Sequence, residues 1–443
     1  MKKIKIAVII GTRPELIKLS VIVRLLQNDK DFHLIYIHSG QHYDDQMFKV
    51  FLNDLELPAP DYNVNVGSYP NSVQTGKMLI ELYEIIKKEN PDIILAQGDT
   101  NTVLCAALTA FKNNLPFGHV EAGIRSFDRR MPEEINRILT GSCASLNFAP
   151  TKLAVENLLN DGILPNRIFL VGNPIVDVVN ENIHIAKKKS NIDVLLNLKK
   201  QEKFILLTMH RPSNVDNVEN LRKMIISFLN IKEVKFIFPA HPRTLKKLKE
   251  CELYDEISKS PNLSIIEPLN YFDMLKLLNL SSFILTDSGG LQEEAVILKK
   301  PCITLRDNTE RPESIEVNAN ILVGNDIEKI KTSILKLWND KDFYNSMIPE
   351  SNPFGDGNSS KKIIQIIKKA YNNQELSLPY IKFDKIIPYC KLIDINDIEI
   401  SVGDFEKRYH CIVLEIFDKT GNLLFPTNSM KLEKKMRLKV RYF

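Results

Sequence analysis

The sequence predicts an α/β fold in which two doubly wound domains are joined by a linker and a small β-rich segment follows. The chain has 443 residues, which is too long for one ordinary core. Short apolar runs alternate with amphipathic stretches over most of its length, as in parallel sheets with helical crossovers. A polar stretch over residues 186–203 interrupts this alternation and divides it into two blocks.

The first block, residues 1–185, opens on an apolar run after a lysine-rich amino terminus. The run Ile6–Ile10 is too short for a signal peptide, so it indicates a buried first strand. The predicted strands are Ile4–Ile10, Leu34–Ile37, Ile93–Ala96, Leu146–Phe148 and Ile168–Val171. The predicted helices are Pro14–Gln27, Met78–Glu89, Asn101–Lys112 and Pro132–Cys143.

The second block, residues 186–352, repeats the same alternation. Its predicted strands are Phe204–Thr208, Val234–Pro239, Leu263–Ile266, Phe283–Thr286 and Cys302–Leu305. Ligands of open parallel sheets bind beyond the carboxyl ends of the strands. Loops that contact a ligand are therefore expected after Ile10, Ala96, Thr208, Pro239 and Thr286.

The composition changes after about residue 375. A helix is predicted within residues 353–375, and residues 376–443 are predicted to form a β-rich appendage. Its strand-like runs are Leu378–Pro388, Asp397–Val402, His410–Phe417 and Met436–Phe443. A hairpin turn is predicted at 418–422.

Composition excludes several classes of protein. The chain is 44% hydrophobic and 26% charged, which is typical of a globular protein. The net charge of +4 comes from 59 basic and 55 acidic residues, which argues against a nucleic-acid binder. No stretch approaches the ~20 apolar residues of a membrane span. Six scattered cysteines predict a cytoplasmic protein with reduced thiols, and no ligand set calls for a metal or other cofactor.

The turn Gly11–Glu15, here called the N-terminal turn, joins a strand to a helix. A helix amino terminus offers unpaired N–H groups to an anion, and Arg13 adds a fork of donors suited to phosphate. The alternative is an ordinary helix cap whose arginine pairs with a neighbouring glutamate. This turn lacks the GxGxxG pattern of a standard dinucleotide site.

The turn Thr286–Gly290, here called the C-terminal turn, likewise joins a strand to a helix in the second block. Ser288 can cap the following helix, and Gly289 and Gly290 let a ligand approach the backbone. Glu294 lies further along the helix and can accept hydrogen bonds from ribose hydroxyls. A diphosphate site is favoured over an ordinary cap followed by solvated acids.

Three carboxylates follow the strands of the first block. Asp99 ends one strand, Glu121 ends the next, and Glu133 opens a helix. Each alone is more often a cap or a member of an ion pair. Adjacent parallel strands would bring Asp99 and Glu121 to one rim, where repulsion and burial raise carboxylate pKa values and favour acid–base chemistry.

Two histidines follow strands of the second block. His210 stands next to Arg211, and His241 stands in an equivalent loop. A lone histidine is commonly structural, but a His-Arg pair facing a diphosphate favours charge stabilisation.

Together these segments resemble the UDP-N-acetylglucosamine 2-epimerase family. The matching stretches follow one another over residues 1–370, which makes the resemblance specific. They are GTRPELIK (11–18), SGQHYDDQMF (39–48), QGDTNT (97–102), HVEAGIRSFDRRMPEEINR (119–137), GNP (172–174), MHRPSNVDN (209–217), AHPR (240–243), EPLNYFDML (267–275), TDSGGLQEEA (286–295) and LRDNTERPE (305–313).

The resemblance implies a GT-B-like pair of Rossmann-like domains with the active site in the cleft and a helix at about 358–371 that returns to the first domain. Family members eliminate UDP to a 2-acetamidoglucal and add it back on the other face, without a redox cofactor or a metal. The product, UDP-N-acetylmannosamine, serves surface polysaccharide synthesis. The resemblance also implies a homodimer.

The resemblance assigns roles residue by residue. It implies acid–base work for three carboxylates and stabilisation of the departing diphosphate by a histidine, and these residues are Asp99, Glu121, Glu133 and His210. It implies substrate binding by Arg13, Lys18, Arg211, His241, Ser288, Gly289, Gly290 and Glu294. A second substrate site is implied at Gln41 and His42, although the neighbouring residues 43–44 and 68–75 do not match the family closely.

Several alternatives stay open at this point. One is a hydrolysing epimerase that releases N-acetylmannosamine and UDP. Another is an epimerase of a modified UDP-sugar such as a diacetamido uronic acid, whose carboxylate would meet Arg125, Arg129 or Arg130. A glycosyltransferase of the same fold and a non-catalytic scaffold are the remaining classes. The sequence does not decide which carboxylate removes the C2 proton.

Overall fold

The computed structural model describes residues 2–41, 51–376, 390–395, 401–409, 411–420, 423–424, 429–433 and 436–442. The chain forms two compact units. The larger comprises Met1–Leu158 and Ile163–Leu376, and the smaller comprises Ser377–Phe443 with Leu159–Gly162. Within the described residues, no helix combines the length and the apolarity needed to cross a membrane.

The larger unit contains two parallel sheets, which confirms the predicted α/β class with two doubly wound domains. The sheet of the N-terminal domain has the order β3-β2-β1-β4-β5-β6-β7. Its strands are β1 Ile4–Ile10, β2 Phe32–His38, β3 Tyr62–Asn63, β4 Ile93–Gln97, β5 Phe117–Val120, β6 Leu146–Ala149 and β7 Ile168–Leu170. The helices described in this half are α1 Arg13–Asn28, α2 Asn71–Glu89, α3 Asn101–Lys112, α4 Pro132–Cys143, α5 Lys152–Asn160 and α6 Pro174–Lys189, with a 3-10 turn at Pro165–Arg167.

The sheet of the C-terminal domain has the order β10-β9-β8-β11-β12-β13. Its strands are β8 Ile205–Thr208, β9 Phe236–Pro239, β10 Leu263–Ile266, β11 Phe283–Thr286, β12 Cys302–Thr304 and β13 Asn320–Leu322. The helices are α7 Ile192–Leu195, α8 Pro212–Val215, α9 Val218–Asn230, α10 Pro242–Glu250, α11 Leu253–Ser258, α12 Tyr271–Leu280, α13 Gly289–Ile297, α14 Glu313–Glu316, α15 Ile327–Asn339, α16 Lys341–Ser346 and α17 Ser359–Asn372.

Two of these strands, β3 and β13, were absent from the predicted set, and β5 was expected only from the position of Glu121 at its end, because their sequences give a weak signal. β3 and β13 are very short, and β5 contains Gly118 and His119 in place of a continuous apolar run. They are strands because their backbones complete the ladders of neighbouring strands, which is a tertiary effect.

Strand order reverses at equivalent places in the two sheets. In the N-terminal domain β1 lies between β2 and β4, and in the C-terminal domain β8 lies between β9 and β11. Chain connections diverge on either side of such a point and leave a crevice at the carboxyl edge. The N-terminal turn follows β1 and the C-terminal turn follows β11, so each lies at the crevice of its own sheet.

The two domains are joined at a tight crossing of two chain segments. A Cβ atom built on Gly355 would lie 3.0 Å from Cα of Gly172, so the close approach requires glycine. The Asn173 amide donates to the Phe354 carbonyl at 2.7 Å. Beyond this crossing α17 packs on the N-terminal core through buried Ile363 and Ile367.

The smaller unit has an antiparallel sheet of order β14-β17-β15-β16. Its elements are β14 Cys390–Asp394, α18 Val402–Tyr409, β15 Cys411–Phe417, β16 Leu423–Leu424 and β17 Arg437–Tyr442. β15 and β16 pair as a hairpin through Phe417 and Leu423. The predicted runs 410–417 and 436–443 correspond to β15 and β17.

Two other predictions for the smaller unit differ from the structure or lie beyond it. The predicted strand 397–402 is wrong at its end, because Val402 begins a helix. Ser401 Oγ accepts the Asp404 amide at 3.1 Å, and Val402 and Phe405 pack together in the core, so capping and helical spacing decide the conformation. The predicted strand 378–388 lies outside the described residues.

Candidate active site

The N-terminal turn is closed by its own side chains. Thr12 is the N-cap residue of α1, and the Glu15 carboxylate accepts the Gly11 amide at 2.6 Å and the Thr12 amide at 3.2 Å. The expectation that these amides are available to an anion is therefore wrong, because the capping box occupies them. Arg13 is exposed, with its guanidinium carbon 4.7 Å from the centre of the Phe51 ring.

The C-terminal turn is open. Ser288 occupies the N-cap position of α13, but its side chain makes no capping bond, so the predicted cap is wrong. The amides of Gly289, Gly290 and Leu291 have no acceptor among the described residues. A Cβ atom on Gly290 would meet nothing within 4 Å, so protein packing does not require glycine there. The turn has the properties of an anion site with room for a ligand against its backbone.

His210 is oriented by a buried carboxylate next to the C-terminal turn. His210 Nδ1 lies 2.9 Å from Oδ1 of Asp287, whose side chain is fully buried while that of His210 is 42% exposed. Asp287 also accepts the backbone amide of Arg211 at 2.9 Å and the Asn214 side chain at 3.0 Å. Burial raises the pKa of Asp287, but its bonds to His210 and to the backbone outweigh burial and lower the pKa. The ionised carboxylate fixes a proton on Nδ1 and leaves Nε2 of His210 for another partner.

His241 lies beside His210 but is used differently. Its Nδ1 accepts the Arg243 amide at 3.2 Å and thereby caps α10. The two imidazole ring centroids are 6.1 Å apart. Burial, together with the charges of His210 and Arg13, lowers the pKa of His241. His241 is therefore a neutral ring at the edge of the site.

Glu121 is held in a strained backbone conformation directly after β5. Its φ is +65°, a left-handed value that is uncommon for any residue other than glycine. Its carboxylate accepts from the side chains of Lys18 at 2.6 Å, Asn173 at 3.1 Å and Gln97. Such strain persists only where many contacts fix the residue, and it concentrates at functional sites.

Four charged side chains from the two domains pair with one another in the cleft. They are Lys18, Glu121, Glu293 and Arg311, here called the four-charge cluster. Lys18 Nζ lies 2.6 Å from Glu121 and 3.1 Å from Glu293. Arg311 pairs with Glu121 at 3.3 Å and also with Glu293. Lys18 and Glu121 belong to the N-terminal domain, whereas Glu293 and Arg311 belong to the C-terminal domain.

The four-charge cluster corrects an expectation about acid–base chemistry. Burial raises the pKa of Glu121, but the charges of Lys18 and Arg311 outweigh burial and lower it. The expected rise by mutual repulsion of carboxylates is therefore wrong for Glu121, because two cations face it more closely than another acid does.

Asp99 and Glu133 are more accessible than Glu121. Asp99 Oδ2 pairs with Arg137 at 2.5 Å, and the Asp99 side chain is 30% exposed. Glu133 is exposed in the first turn of α4, and its charge acts on Arg211 of the opposite domain. The neighbouring Glu134 is buried and accepts the Ser126 amide at 2.8 Å, so it shapes the loop before α4.

Glu294 is a buried carboxylate without a protein partner. It is 8% exposed, and its side chain has no hydrogen bond to any described residue. Burial and the nearby charge of Glu293 raise its pKa to about 7 against the opposing charges of Lys18 and Arg13. A carboxylate in this state is suited to accept hydrogen bonds from a ligand.

The proposed second substrate site is only partly visible. Gln41 Oε1 accepts the Thr102 amide at 3.1 Å and the Thr102 hydroxyl at 2.7 Å, so it anchors the start of α3. His42 lies outside the described residues. The described parts of the chain contain no group of three His, Cys, Asp or Glu side chains placed to hold a metal ion.

Several residues of the site had no predicted role. Glu15, Asn173, Asp287, Glu293 and Arg311 were present only as letters of matched motifs. The position of Asp287 before two glycines was the available signal for it. The others are recognisable only from partners distant in sequence, such as Lys18 for Glu293.

The fold and site define a two-domain α/β protein in which cations, carboxylates and a free helix amino terminus meet at one cleft. The family model described as UDP-N-acetylglucosamine 2-epimerase matches residues 24–368. The chain therefore belongs to the UDP-N-acetylglucosamine 2-epimerase family.

Individual relatives agree with this assignment. The UDP-N-acetylglucosamine 2-epimerase of Methanocaldococcus jannaschii is 49% identical over 368 residues, covering 82% of this chain and 98% of that protein. A protein of the same name from Methanococcus maripaludis is 48% identical over 367 residues, with the same coverage. The crystal structure of the M. jannaschii UDP-GlcNAc 2-epimerase in complex with UDP-GlcNAc and UDP has a TM-score of 0.75 at 48% identity, covering 83% of this chain and 100% of that one.

Proposed function

We propose that this protein interconverts UDP-N-acetylglucosamine and UDP-N-acetylmannosamine by eliminating UDP and adding it back, without hydrolysis. One observation carries the proposal. The four-charge cluster joins Glu121 of the N-terminal domain to α13 of the C-terminal domain, whose amino terminus is free. Carboxylates suited to proton transfer and donors suited to a diphosphate thus meet at one cleft.

The C-terminal domain binds the leaving group, UDP, and stabilises its developing charge. The amides of Gly289 and Gly290 bind the diphosphate, and Glu294 accepts the ribose hydroxyls. As an imidazolium, His210 donates from Nδ1 to Asp287 and from Nε2 to the phosphate. Negative charge that develops on the diphosphate as the C1–O bond breaks is stabilised by these donors.

The proton is handled by the N-terminal domain. A carboxylate removes the C2 proton, the C2–H electron pair forms the C1–C2 double bond, and the C1–O pair leaves with UDP. Re-addition of UDP to C1 of the 2-acetamidoglucal, with a proton delivered to the other face of C2, completes the inversion. Glu121 stays ionised between Lys18 and Arg311, so Asp99 and Glu133 are the groups left to exchange the proton.

Two of the three arginines considered for recognition of a uronic acid are engaged by the protein, and the third, Arg129, is exposed. Arg130 is engaged by Asp128 through two hydrogen bonds of 2.8 Å, and Arg125 is buried, donating to the Ile124 carbonyl at 2.6 Å. Neither guanidinium offers an unoccupied fork to a substrate carboxylate.

Proton NMR of UDP-N-acetylglucosamine with the enzyme in deuterated water tests the proposal. We expect deuterium at C2 and accumulation of UDP-N-acetylmannosamine, with the sugar still bonded to UDP. Free N-acetylmannosamine with stoichiometric UDP would instead identify a hydrolysing enzyme. No exchange at C2 would contradict the mechanism.

Three single variants test which carboxylates exchange the C2 proton. Asp99→Asn and Glu133→Gln should each slow C2 exchange by about 100-fold or more, since general acid–base groups typically contribute that much. Glu121→Gln should slow exchange as well, because it leaves two cations without their counter-charge. Near-normal exchange in all three folded variants would show that the proton is carried by another group.

A further inference from the structure

Asn173 lies in the N-terminal domain where its segment crosses the one that contains Phe354, and its side-chain amide has a fixed orientation. It is the N-cap residue of α6, with Oδ1 accepting the Ile175 amide at 3.1 Å. Its side chain is buried, with the residue 1% exposed. Because Oδ1 is the capping atom, Nδ2 points away from the helix and can only donate.

The Asn173 Nδ2 donates to one carboxylate from each domain. It lies 3.1 Å from Oε1 of Glu121 and 3.0 Å from Oε1 of Glu293. Glu293 stands on α13, four residues after Gly289 and next to Glu294. A single amide therefore connects Glu121 to the helix that begins at the free amino terminus.

The charges around this amide are balanced. Lys18 on α1 and Arg311 before α14 supply two positive charges, and Glu121 and Glu293 supply two negative charges. Gln97 on β4 adds a neutral donor. The Asn173 amide satisfies both carboxylates without changing the net charge, which neither a carboxylate nor an ammonium at this position could do.

We infer that Asn173 is a positioning residue whose Nδ2 orients the Glu121 carboxylate and holds Glu293 of the C-terminal domain next to it. The Glu121 carboxylate takes its orientation partly from an amide shared with α13. Loss of this amide should therefore disturb both the orientation of Glu121 and the contact between the two domains. This inference rests on the proposed function.

Two variants separate this role from helix capping. Asn173→Ser keeps an oxygen for the N-cap but loses the donor to the carboxylates. Asn173→Asp keeps the cap oxygen and adds a third carboxylate to the cluster. The matched control is Asn182→Ser on the same helix, because Asn182 is also buried and donates only to the Val178 carbonyl at 2.9 Å.

We expect Asn173→Ser to lower kcat for C2 exchange about tenfold, as loss of a hydrogen bond to a charged group does, while the Kd of UDP measured by calorimetry changes less than about threefold. Asn173→Asp should be slower by about a further tenfold at pH 8. Its additional deficit should shrink as the pH falls to 5, because protonation removes the added charge. A purely structural role would not produce this pH dependence.

Equal losses of kcat in Asn173→Ser and Asn182→Ser would overturn the inference, as would Asn173→Asp being no slower than Asn173→Ser at pH 8. A readout independent of catalysis is the radius of gyration of the ligand-free protein from small-angle scattering. It should be larger for Asn173→Asp than for Asn173→Ser, because the added charge opposes closure. If the wild type shows no C2 exchange, the proposed function fails, and scattering alone decides whether Asn173 couples the domains.

Discussion

The N-terminal and C-terminal turns each lie at the crevice of their own sheet but use their backbone amides in opposite ways. Both follow a strand at the point where strand order reverses, and both begin a helix. In the N-terminal turn Glu15 accepts the amides of Gly11 and Thr12. In the C-terminal turn the amides of Gly289 and Gly290 remain without a protein acceptor.

The difference shows that a glycine turn before a helix does not by itself define an anion site. The glycine of the N-terminal turn is required by the protein, because a Cβ on Gly11 would lie 1.9 Å from Thr102 Oγ1. The glycine at 290 faces open space. One turn serves packing and positions Lys18 and Arg13 on α1, whereas the other leaves its backbone for a ligand.

The largest expected effect is a loss of stability and concerns Lys18, on the helix that the N-terminal turn begins. Lys18→Met should destabilise the protein by about 3–5 kcal/mol, because it leaves two buried carboxylates, Glu121 and Glu293, facing one cation. Urea unfolding at pH 7 measures the loss.

The control for this variant is Lys276→Met. Lys276 is also buried and pairs with Asp193 at 2.6 Å, but the Asp193 side chain is 36% exposed and can be hydrated when released. We expect a loss of only about 1 kcal/mol. Equal losses of stability in the two variants would show that the four-charge cluster stabilises the protein no more than an ordinary ion pair does.

The second largest expected effect is a gain of stability and concerns Glu294 on α13. The pKa of Glu294 rises from its ordinary value of 4.5 to about 7 in the folded protein, so stability is lost as the pH rises from about 4.5 through 7. Glu294→Gln should therefore make the ligand-free protein more stable than the wild type by ~3 kcal/mol at pH 8 and by little at pH 4.5. It should also weaken UDP binding.

Urea unfolding at the two pH values measures the difference for Glu294→Gln. Glu15, whose pKa is also raised to about 7 by burial, is present in both proteins and cancels in the comparison. A stability difference that does not change with pH would contradict the prediction.

The third effect contrasts packing with ligand binding. Gly11→Ala should destabilise the protein by about 2 kcal/mol, since the added methyl overlaps Thr102 and the hydroxyl of Ser39. The affinity for UDP, measured on the fraction that remains folded, should change much less. A fully stable Gly11→Ala protein would show that the turn can relax.

The smallest effect falls on affinity alone. Gly290→Ala should leave stability unchanged or slightly higher but weaken UDP binding about tenfold, because the methyl occupies space that the diphosphate needs. Gly76→Ala is the matched control, since Gly76 lies inside α2 and a Cβ there also meets nothing within 4 Å. Calorimetric titration with UDP should separate the two variants, and equal affinities would remove the ligand explanation for Gly290.

The sequence predicted the elements whose signal is local and continuous. Apolar runs such as Ile4–Ile10 and Phe283–Thr286 are the observed strands β1 and β11 residue for residue. Prediction failed where a neighbour decides the outcome. β3 is a strand of only two residues because it pairs with β2, and Val402 begins a helix because Ser401 caps it.

The candidate site shows the same division. Asp99, Glu121 and the C-terminal turn could be named from their positions after strands. The protonation of Glu121 could not, because its cations come from residues about 100 and 190 positions away in the chain. Sequence patterns predict which side chains lie at the carboxyl end of a strand but not which charged side chains face them there.

The sequence by itself determined the two parallel sheets, the carboxyl edges at which ligands bind, and membership of the epimerase family, because apolar periodicity and local motifs depend on near neighbours in the chain. Only the tertiary structure decided that Glu15 closes one turn while the other stays open. It alone decided that Glu121 pairs with two cations, that Glu294 has no hydrogen bond to any described residue, and that Asn173 bridges the two domains. Hydrogen bonds and charge interactions act over a few ångströms in space, whatever the separation in sequence, and folding sets those distances.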